Sequence, residues 1–389
     1  MCKLAHGLRK LFFCFSVLLI LLIPEISARL LSKVSKPQSP FPNYPYYVEI
    51  SHGYKHVDQL IQDWSAVWVQ YHDYYIYSPG PASSKTVNFT DYFGARATPA
   101  SADLDEADEV IWAFGGSTMA DLETDDDLSL ANQIAVELNK DNVKARVRNF
   151  GVGGFQSSLE TIKFQDLLRR VPLRERPTTV IFYDGFNDVG YGYNFGAASL
   201  PRDVSLKLRD LVDRNYTRLL AYIFSELLSR HSVFWKDFIR NRINKRLYEG
   251  QTTNQDSENL DKTVSSYVVN VRMTRGICQE LHIRCLFILQ PLIITKANPT
   301  SVERKVLDSF GKDFVHFARG FYMKSTLQLH NQEGFLDLSH ILDQSEESDF
   351  YDLGHTSPFA GTTIGREIAT QIVKSRRASG LEAQTARTP

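Results

Sequence analysis

From residue 110 onward, short apolar runs alternate with stretches whose apolar residues recur at helical spacing. That alternation restricts the fold more than any other feature of the chain. Val110 to Phe114 is an apolar run stopped by Gly115-Gly116, the pattern of a strand buried on both faces. Ala131, Ile134, Ala135 and Leu138 follow as a helical stripe, and Val143 to Phe150 reads as the next strand. Leu159, Ile162, Leu167 and Leu168 predict a second helix, and Thr179 to Tyr183 a third strand. Val264, Tyr267, Val271, Cys278 and Leu281 line one helical face ahead of the run Ile283 to Leu289. Pro358 opens a last helix carrying Ile364, Ile368 and Ile372, proline being favoured in a first helical turn. Strand and helix in this rhythm predict a parallel sheet with helices on both faces.

The rhythm is interrupted twice. Residues 29–108 read as a Pro- and Ser-rich linker and an aromatic-rich extension with Trp64, Trp68, Tyr71, Tyr74, Tyr75 and Tyr77. Its turn residues Ser78-Pro79-Gly80-Pro81 argue against long regular elements. Residues 190–262 carry more basic than acidic residues and read as two or three amphipathic helices inserted over the C-terminal edge of the sheet, as a packed cap or a mobile lid. The main domain is expected over 109–376, with 377–389 as a tail.

At the N-terminus, Lys3, Arg9 and Lys10 precede an apolar run from Leu11 to Ile23, short for a membrane span. Residues 1–28 are expected to be a signal peptide cut after Ala28 or an uncleaved membrane anchor, with the globular part exported either way. Of the four cysteines, Cys278 and Cys285 lie beyond this segment. In an oxidising compartment they form a disulfide or remain two buried thiols. A net charge of -1 gives no electrostatic case for nucleic acid. No His/Cys/Asp cluster has zinc or calcium spacing.

Four short stretches each sit where a strand ends or a helix begins. Phe114-Gly115-Gly116-Ser117 puts a serine in a tight turn above the sheet edge, where open α/β sheets bind ligands. Asn149-Phe150-Gly151-Val152-Gly153-Gly154 permits close backbone approach, so an amide can reach a reacting oxygen. Asp184-Gly185-Phe186-Asn187-Asp188 holds an asparagine amide at a strand end. Asp352-Leu353-Gly354-His355 lets a carboxylate accept from one ring nitrogen and leaves the other for a serine proton. Taken singly, each also fits a plain loop, an Asx-turn or a helix cap. Asp184 and Asp188 read as structural, and Asp125-Asp126-Asp127 as a solvated loop before a helix.

In this order the four stretches resemble the sequence blocks of the SGNH hydrolases, also called the GDSL-like family, over about 110–375. The resemblance implies a three-layer α/β/α flavodoxin-like sandwich around a central parallel sheet. It implies Ser117 as nucleophile, His355 as general base and Asp352 as its partner. The amides of Ser117 and Gly154 and the side chain of Asn187 would hold the oxyanion. One departure stands out: the family's first block usually reads Gly-Asp-Ser, and here Gly116 occupies the Asp position. The activity implied is hydrolysis of carboxylic esters through an acyl-enzyme, on a small-molecule, glycan or lipid substrate and without a cofactor. Transfer of the acyl group to a carbohydrate or lipid acceptor, or a non-catalytic binding protein on the same fold, are the competing readings.

Overall fold

A computed structural model describes residues 24–29, 44, 46–51, 56–89, 93–196, 209–240, 242–243, 257–378 and 380. The chain divides into two compact units, Met1–Gln38 with Pro201–Thr252, and Ser39–Leu200 with Thr253–Pro389.

The larger unit begins with the short helix α1 (Tyr47–Ile50), α2 (Val57–Ala66) and a hairpin of β1 (Val69–His72) and β2 (Ile76–Pro79). The ten-residue α2 is longer than the turn-rich sequence led us to expect; Asp63 and Leu60 anchor its buried side. The alternating part follows as β3 (Glu109–Gly115), α3 (Ser117–Ala120), α4 (Leu130–Lys140), β4 (Ala145–Asn149), α5 (Ser157–Arg170), β5 (Thr179–Asp184) and α6 (Phe186–Phe195). It continues with α7 (Ser257–Glu280), β6 (Arg284–Leu289), α8 (Ser301–Asp308), α9 (Lys312–Leu329), β7 (Phe335–Asp337) and α10 (Pro358–Ala378).

The five strands lie in the order β4-β3-β5-β6-β7 and every neighbouring pair is parallel. Counted along the chain this is 2-1-3-4-5, the doubly wound flavodoxin-like order. Helix α4 packs against α10 in one layer, while α7 joins α5, α6 and α9 in the other. The α/β/α sandwich read from the sequence is therefore present, with β7 as an additional short edge strand.

All seven residues of β3 and all six of β5 are buried, which accounts for the apolar runs Val110 to Phe114 and Val180 to Tyr183 within them. Phe150, Phe114, Phe182 and Phe287 stack from strand to strand with ring centroids 5.5, 5.3 and 5.3 Å apart. Each such ring contributes roughly 1.5–3 kcal/mol through removal from water. At the opposite end of the sheet the buried Glu109 accepts from Thr178, Thr179, Arg284 and Arg376, tying β3 to β6 and α10. Cys278 of α7 and Cys285 of β6 form a disulfide with Cα atoms 6.2 Å apart.

In the smaller unit, residues 24–29 are helical and a second helix spans Tyr216–His231. The Glu25 carboxylate accepts from Ser232 Oγ at 2.7 Å and from the amides of Val233 and Phe234 at 3.1 Å each. The apolar run 11–23, most of the linker and residues 197–208 and 244–256 of the insertion lie outside the described residues. Among the described residues no helix is long and apolar enough to cross a membrane.

Candidate active site

The C-terminal ends of β3, β4 and β5 deliver the first three sequence blocks to one edge of the sheet. Ser117 starts α3 directly after β3. An added Cβ at Gly115 would lie 2.5 Å from Met119 Cβ and 3.0 Å from the Tyr183 carbonyl, so the chain turns here only with glycine. Asn149, at the end of β4, donates to the Met119 carbonyl at 2.9 Å and accepts from the Gly151 amide at 2.9 Å. That pair clamps the glycine turn onto α3; an added Cβ at Gly151 would lie 2.3 Å from the Ala120 nitrogen.

His355 comes from the loop ahead of α10. Its Nε2 lies 2.7 Å from Ser117 Oγ, and its Nδ1 lies 2.8 Å from Asp352 Oδ2. The other oxygen of Asp352 accepts from the amides of Gly354 and His355 at 2.9 and 2.8 Å. The turn itself is pinned, because the Tyr351 amide donates to the His355 carbonyl and the Ile293 amide to the Leu353 carbonyl. Ser117 and His355 are 8% and 6% exposed, so the pair works in a nearly enclosed space. Phe186 meets the imidazole edge-on at 5.1 Å and Tyr44 lies 5.8 Å from it.

Asn187, on the first turn of α6, donates its side-chain amide to the Phe155 carbonyl at 2.5 Å. That carbonyl belongs to the turn carrying Gly154, which has a positive φ of 81°. The structure thus brings the second and third blocks together beside Gly116. A Cβ added there would lie 2.2 Å from Asn187 Nδ2 and 2.9 Å from the Phe155 oxygen. A side chain at this position would therefore run into the Asn187 amide.

Asp188 accepts from Ser157 Oγ at 2.6 Å and so holds the start of α5. Burial, then the charge of Asp188, pushes the Asp184 carboxyl up, and the adjacent Glu160 is pushed up by burial and by Asp184. Asp126 corrects the expectation of a solvated loop. It is 5% exposed and accepts from Arg96 Nε at 2.8 Å. Arg96, itself 1% exposed, also donates to the carbonyls of Ala120, Asp121 and Thr124 at 2.6, 2.5 and 2.7 Å. The loop after α3 is therefore folded around one guanidinium.

That loop carries a site residue the sequence did not disclose. Glu123 is 2% exposed, and its Oε1 lies 3.9 Å from His355 Nε2 while accepting from the Tyr44 hydroxyl at 2.6 Å. Burial would depress the imidazole, but the carboxylates of Glu123, Asp352 and Asp121 outweigh it and push its pKa up to about 9. Burial would raise Asp352, yet the charge, ring N–H and amide of His355 hold it below its ordinary value. Among the described residues no group of three or more His, Cys, Asp and Glu side chains is placed to hold a metal ion.

No family model matches the chain, and no curated protein does. Solved structures similar to it include the acetylxylan esterase Axe2 from Geobacillus stearothermophilus, at 12% identity over 68% of this chain and 94% of that one, TM-score 0.36. They also include a GDSL-like lipase from Bacteroides thetaiotaomicron, at 10% identity over 69% of this chain and 89% of that one, TM-score 0.34. The sheet order and the hydrogen-bonded Ser117, His355 and Asp352, rather than these distant likenesses, carry the functional reading.

Proposed function

We propose that the chain is an SGNH-type serine ester hydrolase in which Ser117 attacks the carbonyl carbon and His355 takes its proton. The observation that carries this is the relay itself, with 2.7 Å from Oγ to Nε2 and 2.8 Å from Nδ1 to Asp352. In the first step the Oγ–H bond breaks as the Oγ–C bond forms, and the proton moves to Nε2. Asp352 fixes the tautomer and stabilises the imidazolium. The amides of Ser117 and Gly154 and one N–H of Asn187 are the donors we assign to the oxyanion. Collapse of the tetrahedral adduct expels an alcohol, which leaves with the proton from Nε2. Water, deprotonated by the same imidazole, then releases the acid.

The near burial of Ser117 and His355 favours a small acyl group, and acetyl esters of a glycan are the substrate class we put first. A fluorophosphonate probe should label the protein, and p-nitrophenyl acetate should turn over faster than the octanoate. Absence of labelling in folded protein would favour the non-catalytic reading. The same enclosure limits water, which is the condition for transfer to another hydroxyl. Products formed with and without a sugar or glycerol acceptor distinguish transfer from hydrolysis.

We also read the N-terminal segment as a retained anchor of an exported protein. What supports this is Glu25, whose carboxylate is held down to about 2 by Ser232 and Arg29 and whose cap on residues 232–234 would go with cleavage after Ala28. Intact mass and fractionation of the expressed protein check it. The expected result is membrane-bound protein retaining residues 1–28; a soluble form beginning at Arg29 would refute it.

A further inference from the structure

His355 has a carboxylate at each ring nitrogen. Asp352 accepts at Nδ1, as a serine relay requires. Glu123 stands on the other side, 3.9 Å from the nitrogen that exchanges the serine proton. It is aimed from both ends: the Tyr44 hydroxyl holds Oε1 at 2.6 Å, and the Tyr47 hydroxyl holds the Glu123 carbonyl at 2.7 Å. Both tyrosines come from the N-terminal extension, which thereby completes the surroundings of a site built on the sheet.

We propose that Glu123 is a positioning residue of the relay: a second carboxylate, aimed by Tyr44 at Nε2, that holds His355 as imidazolium and moves the working range of the enzyme to alkaline pH. This rests on the Ser117–His355 reading above. Glu123 exchanges no proton in the cycle and acts only through the imidazole.

The groups around the ring agree in sign. Asp352 faces it from the loop before α10, and Asp121 and Glu123 from the loop after α3. Tyr44 faces it from the N-terminal segment, and Phe186 of α6 adds an uncharged ring. The cation of this region, Arg96, is engaged by Asp126 and three carbonyls and draws Asp121 down against its burial. Burial pushes the Glu123 carboxyl above its ordinary value, and the charge of His355 and the Tyr44 hydroxyl offset only part of that rise. An opposite charge at such a distance changes a proton affinity by about ten- to a thousandfold. The sign for activity follows directly. Imidazolium cannot accept the serine proton, so activity is low at neutral pH and rises as pH climbs towards about 9.

The test is an NMR titration of the His355 ring in the wild type, Glu123→Gln, Glu123→Asp and Tyr44→Phe, beside the pH dependence of fluorophosphonate labelling. The expected wild-type midpoint is near 9. Glu123→Gln should lower proton affinity at least about tenfold, raising the labelling rate at pH 7 by a similar factor relative to its own plateau. Glu123→Asp should retain most of the alkaline midpoint, and Tyr44→Phe should fall between. A wild-type midpoint near that of free histidine, or one unmoved in folded Glu123→Gln, overturns the inference. The titration needs no turnover, so an unlabelled protein with a shifted midpoint would refute the esterase reading and leave only the charge pairing of Glu123 with His355, whereas a labelled protein with an unshifted midpoint would overturn the role of Glu123 alone. Should the Gln variant not fold, Tyr44→Phe decides in its place, and a midpoint it leaves unmoved overturns the inference.

Discussion

Ser117→Ala is expected to remove fluorophosphonate labelling entirely and to lower ester hydrolysis by at least about a thousandfold, leaving what binding and the oxyanion donors supply. The argument is local. Ser117 offers one hydroxyl, 2.7 Å from the imidazole, at the start of a helix whose backbone an alanine also accommodates. Loss of that hydroxyl costs on the order of 1 kcal/mol of stability, so circular dichroism and thermal unfolding should barely change. Activity and fold then separate cleanly. Labelling that persists at full stoichiometry in the variant would remove Ser117 from the mechanism.

The second large effect is expected on stability. Arg96→Ala should cost about 3–5 kcal/mol, read from urea unfolding, because it strips a buried carboxylate of its counter-charge. It also takes a guanidinium donor from each of the carbonyls of Ala120, Asp121 and Thr124, and it removes a cation lying 5.3 Å from the Trp64 ring. Arg96→Lys keeps the charge but not the planar fork that reaches four acceptors, so it should recover only part of the loss. The loop that loosens is the one carrying Glu123, so catalysis should weaken together with the fold. A cost below about 1 kcal/mol, the range of an exposed ion pair, would mean that the loop holds its shape without the clamp.

Arg96 and Glu123 also mark where the sequence stops being readable. The strands were legible because burial on both faces writes itself as an apolar run. Val110 to Phe114 and Thr179 to Tyr183 each fall within one residue of β3 and β5. β7 was not, since the three residues Phe335–Asp337 are too few to establish a period. The four blocks were legible through their order, and the fold brings Ser117, Asp352 and His355 into one chain of hydrogen bonds. Glu123 lay in an acidic stretch, Glu123 to Asp127, that has the composition of a solvated turn. What buries part of that stretch is an arginine from a segment before β3 and two tyrosines from the N-terminal extension, and local pattern records none of those distant contacts. The disulfide was undecided for a related reason: seven residues of separation permit it, and only the turn from α7 into β6 brings the two Cα atoms to 6.2 Å.

The stacked phenylalanines bear on more than packing. Phe114 is paired with Phe182, and Phe182 with Phe287, in the strand register itself. The rings therefore act as rungs that level β3, β5 and β6 against one another. Gly116 and Ser117 follow one rung by two and three residues, and Asn187 follows the next by five. A slip of a single residue in any strand would shift its contribution by about 3.3 Å and turn its side chains to the opposite face. It would also break the aromatic column. The mutual height of Ser117 and Asn187 is thus set by the alignment of the strands beneath them, and it is only His355 and Asp352 whose position depends on the pinned loop ahead of α10.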